Sequence, residues 1–92
     1  TIDCLKHLKK TGYQLVACEQ NQTSINYRLA KYKAPVALIV GSESHGVSPK
    51  VLKMVDSIVE IPMYGINISL NVLVAAAVVG YDIISKISPK NP

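Results

Sequence analysis

The sequence predicts an α/β domain in which a parallel sheet is flanked by helices, and three observations carry that prediction. Val36 to Val40 is an unbroken apolar run of strand length, as expected for a strand buried on both faces. It runs into Gly41-Ser42-Glu43-Ser44-His45-Gly46 and then into Ser48-Pro49, a helix cap followed by a proline at the first helical position. The segment IPMYGINISLNVLVAAA, from Ile61 to Ala77, repeats the plan of strand, polar loop and helix. Ligands of parallel sheets bind in the crevice at the carboxyl ends of the strands. With these two strand ends side by side, Glu43, Ser69 and Asn71 are expected around one crevice.

The remaining elements follow in chain order. Ile2, Leu5 and Leu8 recur at threes and Gly12 follows, which predicts an amphipathic helix from Ile2 to Lys10 with Lys6, Lys9 and Lys10 on its wet face. Gln14 to Glu19 is a short β-prone run. Asn21 to Lys33 is polar, and Thr23 or Ser24 can cap a short helix that carries Ile25 and Leu29 inward. Its Arg28, Lys31 and Lys33 form the densest positive stretch, either a solvated face or an RNA contact. Beyond the Ser48 cap, a helix is expected from Pro49 to about Val55, then a strand from Ser57 to Ile61 that Pro62 ends. Ser69 caps the last helix, which runs to about Ile87 before Pro89. Around Ala75, Ala76 and Ala77 that helix is apolar on all sides. One small sheet covers one face of it, so a subunit interface is expected on the other.

Composition bounds the function. The 92 residues, about half of them apolar, suit one small domain over residues 1–92. Ten Lys and Arg against six Asp and Glu give a net charge of +4, a mild preference for a polyanionic partner such as nucleic acid. Cys4 and Cys18 have neither metal-ligand spacing nor clustered His, so reduced thiols are expected and no metal. The longest apolar run, Val72 to Val79, is too short to span a bilayer, and a cytoplasmic protein without membrane contact is expected. The chain starts without Met at helix-start residues, as a piece of a longer protein would.

The loops exclude two common chemistries. The loop from Gly41 to Gly46 has the glycine spacing of a phosphate loop, but Val47 and Ser48 stand where Lys and Ser or Thr are required, and Glu43 repels anions. Ser44 as a hydrolase nucleophile lacks the first glycine, which is Ser42, and lacks a downstream His. A lone His45 beside glycine is an ordinary turn residue before it is a base. Ser69 and Asn71 can serve a polar ligand or only satisfy the first turn of their helix. Glu43 between glycines after a buried strand needs a polar or cationic partner, for which an amide of the final helix is the natural candidate.

These two segments resemble the second and third motifs of the SpoU branch (TrmH-like) of the SPOUT methyltransferases, which methylate RNA ribose 2′-oxygens. The first matches through an apolar strand, Gly41-Ser42-Glu43, Gly46, a branched residue and Ser48. The second matches through Ile61-Pro62-Met63, Gly65, Ser69-Leu70-Asn71-Val72 and the alanine-rich helix. Leu73 departs from the family's usual Ser. The resemblance covers the C-terminal part of the family's catalytic domain and lacks its first motif, which supplies an Asn and an Arg.

The resemblance implies a C-terminal deep trefoil knot and methyl transfer from S-adenosylmethionine to tRNA or rRNA. It also implies a homodimer packed through the knot and final helix. Gly41, Ile61 and Leu70 resemble backbone contacts to the cofactor, with Met63 lining its pocket, and Glu43, Ser69 and Asn71 resemble the catalytic polar set. The alternative is a noncatalytic RNA-binding or dimerisation piece that keeps the fold, consistent with the missing motif.

Overall fold

The computed structural model describes residues 2–41, 46–61 and 72–87. The threefold apolar spacing at the start forms helix α1, Ile2–Lys10, with Asp3 in its first turn and His7, Lys9 and Lys10 in its last, the order that complements the helix dipole. Leu5 is buried, and Ile2 and Leu8 pack beside it. The helix stops at Gly12, whose φ of +97° is a conformation that a side chain disfavours. The Tyr13 N–H turns back to the Leu8 carbonyl at 2.9 Å.

Strand β1, Gln14–Cys18, is the centre of a four-stranded parallel sheet. On one side it pairs with β3, Val36–Val40, from Gln14↔Val36 to Cys18↔Val40. On the other it pairs with β4, Ser57–Glu60, from Val16↔Ser57 to Cys18↔Val59. The two-residue β2, Ile25–Asn26, adds to the far side of β4, giving the order β2-β4-β1-β3.

Alternation along β1 divides the core into two layers, since successive side chains of a strand point to opposite faces. Leu15 packs with Leu5, Val47 and Val51, the last from α2, Pro49–Leu52. Val16 packs with Ala30, Val59, Val79 and Ile83, the last two from α3, Val72–Ile87. Helices α1 and α2 therefore cover one face and α3 the other. Helix α2 starts as its sequence predicts, with the Ser48 hydroxyl accepting the Val51 N–H at 3.3 Å and Pro49 in the first turn, but it ends three residues before Val55. The loop that follows is tied to β1. Asp56 accepts the Leu15 N–H through its carboxylate at 2.7 Å and gives its own N–H to the Leu15 carbonyl at 2.8 Å.

Three expectations are corrected. The strand buried on both faces is β1, with Leu15, Val16 and Ala17 all fully enclosed, whereas β3 is only half-buried and Val40 is 37% exposed. The reason is position in the sheet: β1 has a partner on each side, and β3 pairs with β1 alone among the described residues. The ends of β3 and β4 do not lie side by side, because β1 runs between them. Thirdly, Ile25 and Leu29 do not point inward. They are 43% and 74% exposed, on β2 and on a short 3-10 turn, Tyr27–Leu29, and Ala30 is the buried residue of this stretch. Asn26 caps that turn by accepting the Arg28 N–H at 3.0 Å, while the Ser24 hydroxyl bonds instead to the Asn21 carbonyl at 2.7 Å and to the Glu60 carboxylate. Arg28, Lys31 and Lys33 are all exposed.

Lys86 explains how α3 fastens to this irregular segment. Its ammonium donates to the carbonyls of Tyr27 at 3.3 Å, Arg28 at 2.8 Å and Ala30 at 2.9 Å, pairs with Asp82 at 3.0 Å and lies 5.2 Å from the centre of the Tyr32 ring. A charged donor at the end of a helical turn satisfies carbonyls that have no partner within the turn. Replacing it, as in Lys86→Met, keeps most of the stem packing and removes those bonds. The expected loss is about 1–3 kcal/mol of stability in urea unfolding, and an unchanged midpoint would show that water replaces the ammonium without cost.

Candidate functional site

Parallel strands bring their carboxyl ends to one edge, and the residues that follow them lie together there: Glu19 after β1, Gly41 after β3 and Ile61 after β4. Chain order sets the spacing of these ends. The connection from β3 through α2 carries the chain across β1 to β4, so β3 and β4 flank β1 at about 10 Å from one another, twice the usual strand spacing. Open parallel sheets bind ligands at the carboxyl ends of their strands.

Gly41 and Gly46 close the loop that leaves β3. A Cβ placed on Gly41 would collide with the carbonyl carbon and oxygen of Gly46 and the nitrogen of Val47, so only glycine lets the two legs of the loop touch. Gly46 has φ of +66°, and a Cβ there would meet the Glu19 carboxylate. Val47 is 6% exposed and anchors the returning chain in the layer under α1 and α2. The predicted motif spacing of two glycines, a branched residue and Ser48 thus has a geometric basis: closure, left-handed turn, core anchor and helix cap.

Glu19 went unnoticed in the sequence reading. Its carboxylate accepts the Val47 N–H at 2.5 Å and its own N–H donates to the Val59 carbonyl at 2.9 Å. A carboxylate at the end of an apolar strand, in a fold that places ligands at strand ends, was the available signal. Its neighbour Cys18 is half-buried, and burial first, then the charge of Glu19, raises its thiol above the ordinary value. Burial, then Asp82 and Cys18, push the Tyr32 phenol up to about 12.

Of the predicted site residues, Gly41 and Ile61 stand at the ends of β3 and β4, and Ile61 packs against the layer under α3. Glu43, Ser69 and Asn71, the predicted catalytic set, lie outside the described residues, as do Met63 and Leu70 of the cofactor set and the loop residues Ser44 and His45. Among the described residues no cluster of His, Cys, Asp and Glu could hold a metal ion, and no helix is long and apolar enough to cross a membrane. Both described carboxylates at this edge are engaged, Glu19 with Val47 and Glu60 with Ser24.

A parallel four-stranded sheet with helices on both faces defines a domain of the α/β class. Within that class the chain belongs to the SpoU rRNA methylase family, whose profile matches residues 1–81. It is 41% identical over 78 residues to a tRNA (guanosine(18)-2′-O)-methyltransferase of Aquifex aeolicus, a match covering 85% of this chain and 37% of that protein. Among solved structures, the A. aeolicus TrmH/SpoU tRNA modifying enzyme superimposes with a TM-score of 0.82 at 38% identity, over 92% of this chain and 43% of the other. An AdoMet-bound rRNA methyltransferase from Sinorhizobium meliloti gives a TM-score of 0.82 at 26% identity, over 91% and 32%. The chain thus spans less than half the length of each.

Proposed function

We propose that this chain forms part of the catalytic domain of an S-adenosylmethionine-dependent RNA ribose 2′-O-methyltransferase acting on tRNA or rRNA in the cytoplasm. The observation that carries the reading is the glycine-closed loop at the carboxyl edge of the sheet, in a chain whose family and AdoMet-bound structural neighbour are those of RNA methyltransferases. On this reading residues 1–92 carry the family's second and third motifs on its trefoil knot.

When bound, S-adenosylmethionine supplies an electrophilic methyl group on a sulfonium. The chain's part is to hold the acceptor in line and to help the ribose hydroxyl lose its proton. Gly41, Ile61 and Leu70 offer main-chain groups to the cofactor and Met63 lines its pocket. Glu43 and Asn71 hold each other and the site geometry, and Ser69 bonds near the substrate or the arginine of the first motif. The partner subunit packs on α3, whose Tyr81 and Ile84 are 75% and 64% exposed on the side away from buried Val79 and Ile83.

Calorimetric titration of S-adenosylmethionine into the protein tests the reading. Saturable one-site binding is expected, and absence of binding by a folded dimer would favour the noncatalytic alternative. In methyl-transfer assays, Asn71→Ala is expected to lower turnover by about a hundredfold or more while the dimer persists. Undiminished activity would remove Asn71 from the site.

A further inference from the structure

Resting on the cofactor-pocket reading above, we infer that Glu19 is a positioning residue, whose carboxylate holds the Gly46–Val47 leg against Gly41 at the carboxyl edge of β3, beside the proposed S-adenosylmethionine site. Three observations meet at this side chain. Its carboxylate accepts the Val47 N–H at 2.5 Å, a charge-assisted bond to the returning leg of the loop. Gly46 lies against the same carboxylate oxygen so closely that any side chain there would displace it. The backbone of Gly46 and Val47 also abuts Gly41. Gly46 and Val47 therefore touch both Glu19 and Gly41.

The mount for this carboxylate is rigid. Glu19 follows Cys18, which is paired on both sides, and the Glu19 N–H continues the ladder to the Val59 carbonyl at 2.9 Å. Val47 is itself held in the core by its buried side chain. Removing the acceptor takes this partner from a partly buried N–H, on a leg whose other anchors among the described residues are buried Val47 and the Ser48 cap. Glu19 touches the loop and acts through it, which separates its role from that of a group contacting the reacting atoms.

The test compares wild type, Glu19→Ala and Glu19→Gln in the full protein, by S-adenosylmethionine calorimetry and by hydrogen exchange of the Val47 amide. Glu19→Ala is expected to weaken binding about tenfold or more and to speed Val47 exchange by a similar factor, as loss of one charge-assisted bond implies. Glu19→Gln, whose amide oxygen can accept the same N–H, is expected to restore both to within about threefold of wild type. Wild-type binding with an unaffected Glu19→Ala variant would overturn the proposal. So would a Glu19→Gln variant that binds as weakly as Glu19→Ala while its Val47 exchange stays at the wild-type rate, because binding would then not follow the hold on the loop. Failure of the wild type to bind S-adenosylmethionine counts against the pocket reading alone. Val47 exchange then still decides Glu19, with unchanged exchange in Glu19→Ala overturning its role.

Discussion

Gly41→Ala is expected to abolish measurable S-adenosylmethionine binding and to lower stability by about 1–3 kcal/mol, the usual range for forcing an extra carbon into a filled space. The reason lies in what the added carbon would meet. Its three nearest neighbours are main-chain atoms of Gly46 and Val47, so no side-chain rotation can relieve the overlap. Val47 is buried in the core and its N–H is held by Glu19, so the returning leg cannot simply move outward. The strain must instead open the loop at the carboxyl edge of β3, where the ligand is proposed to sit. Thermal unfolding and calorimetry on the same preparation separate the two effects. A variant that melts a few degrees lower yet binds normally would mean that the loop's closure does not shape the pocket.

The fold was legible in the sequence wherever local signals act alone. The threefold spacing of Ile2, Leu5 and Leu8 with Gly12, the Ser48-Pro49 cap and the apolar run Val36 to Val40 each gave an element within a few residues of the observed one. Neighbour relations were not legible, because strand order depends on which side of the sheet each crossover takes. Hence Val36 to Val40 was expected to be the strand buried on both faces, and β1 is that strand. The same ignorance hid Glu19, whose importance arises only when β1 comes between the two motif strands. Around Ile25, the polar pattern read as a helix is a two-residue strand and a 3-10 turn. Here the Asn26 cap and the Lys86 ammonium, 60 positions away in sequence, satisfy the backbone that a helix would have satisfied locally. In the candidate site, the glycine spacing was legible because close backbone approach admits no other residue. The roles of Glu43, Ser69 and Asn71 came from resemblance to the family.

In the proposed dimer, Ile84→Glu and Tyr81→Glu are each expected to separate the subunits, raising the dissociation constant by about a hundredfold or more. Helix α3 has two apolar sides. Val79 and Ile83, four residues apart, face the sheet and are 0% and 6% exposed, whereas Tyr81 at 75% and Ile84 at 64% face away from it, three residues apart on one stripe. Lys86 and Asp82 pair with each other at 3.0 Å, and Lys86 is further bound by the carbonyls of the 3-10 segment, so these charges are drawn toward the body of the protein and away from the Tyr81–Ile84 stripe. Two large apolar side chains on a helix of mixed exposure favour self-association through a twofold axis, where each residue enters the interface twice. A carboxylate at either position would therefore bury two like charges without partners, a cost far above that of losing apolar contact alone. Because both side chains point away from the core, the monomer should keep its fold, which circular dichroism would register. Sedimentation velocity reads the outcome: a wild-type protein sedimenting as a monomer, or a variant still dimeric at micromolar concentration, would place the subunit contact elsewhere or remove it.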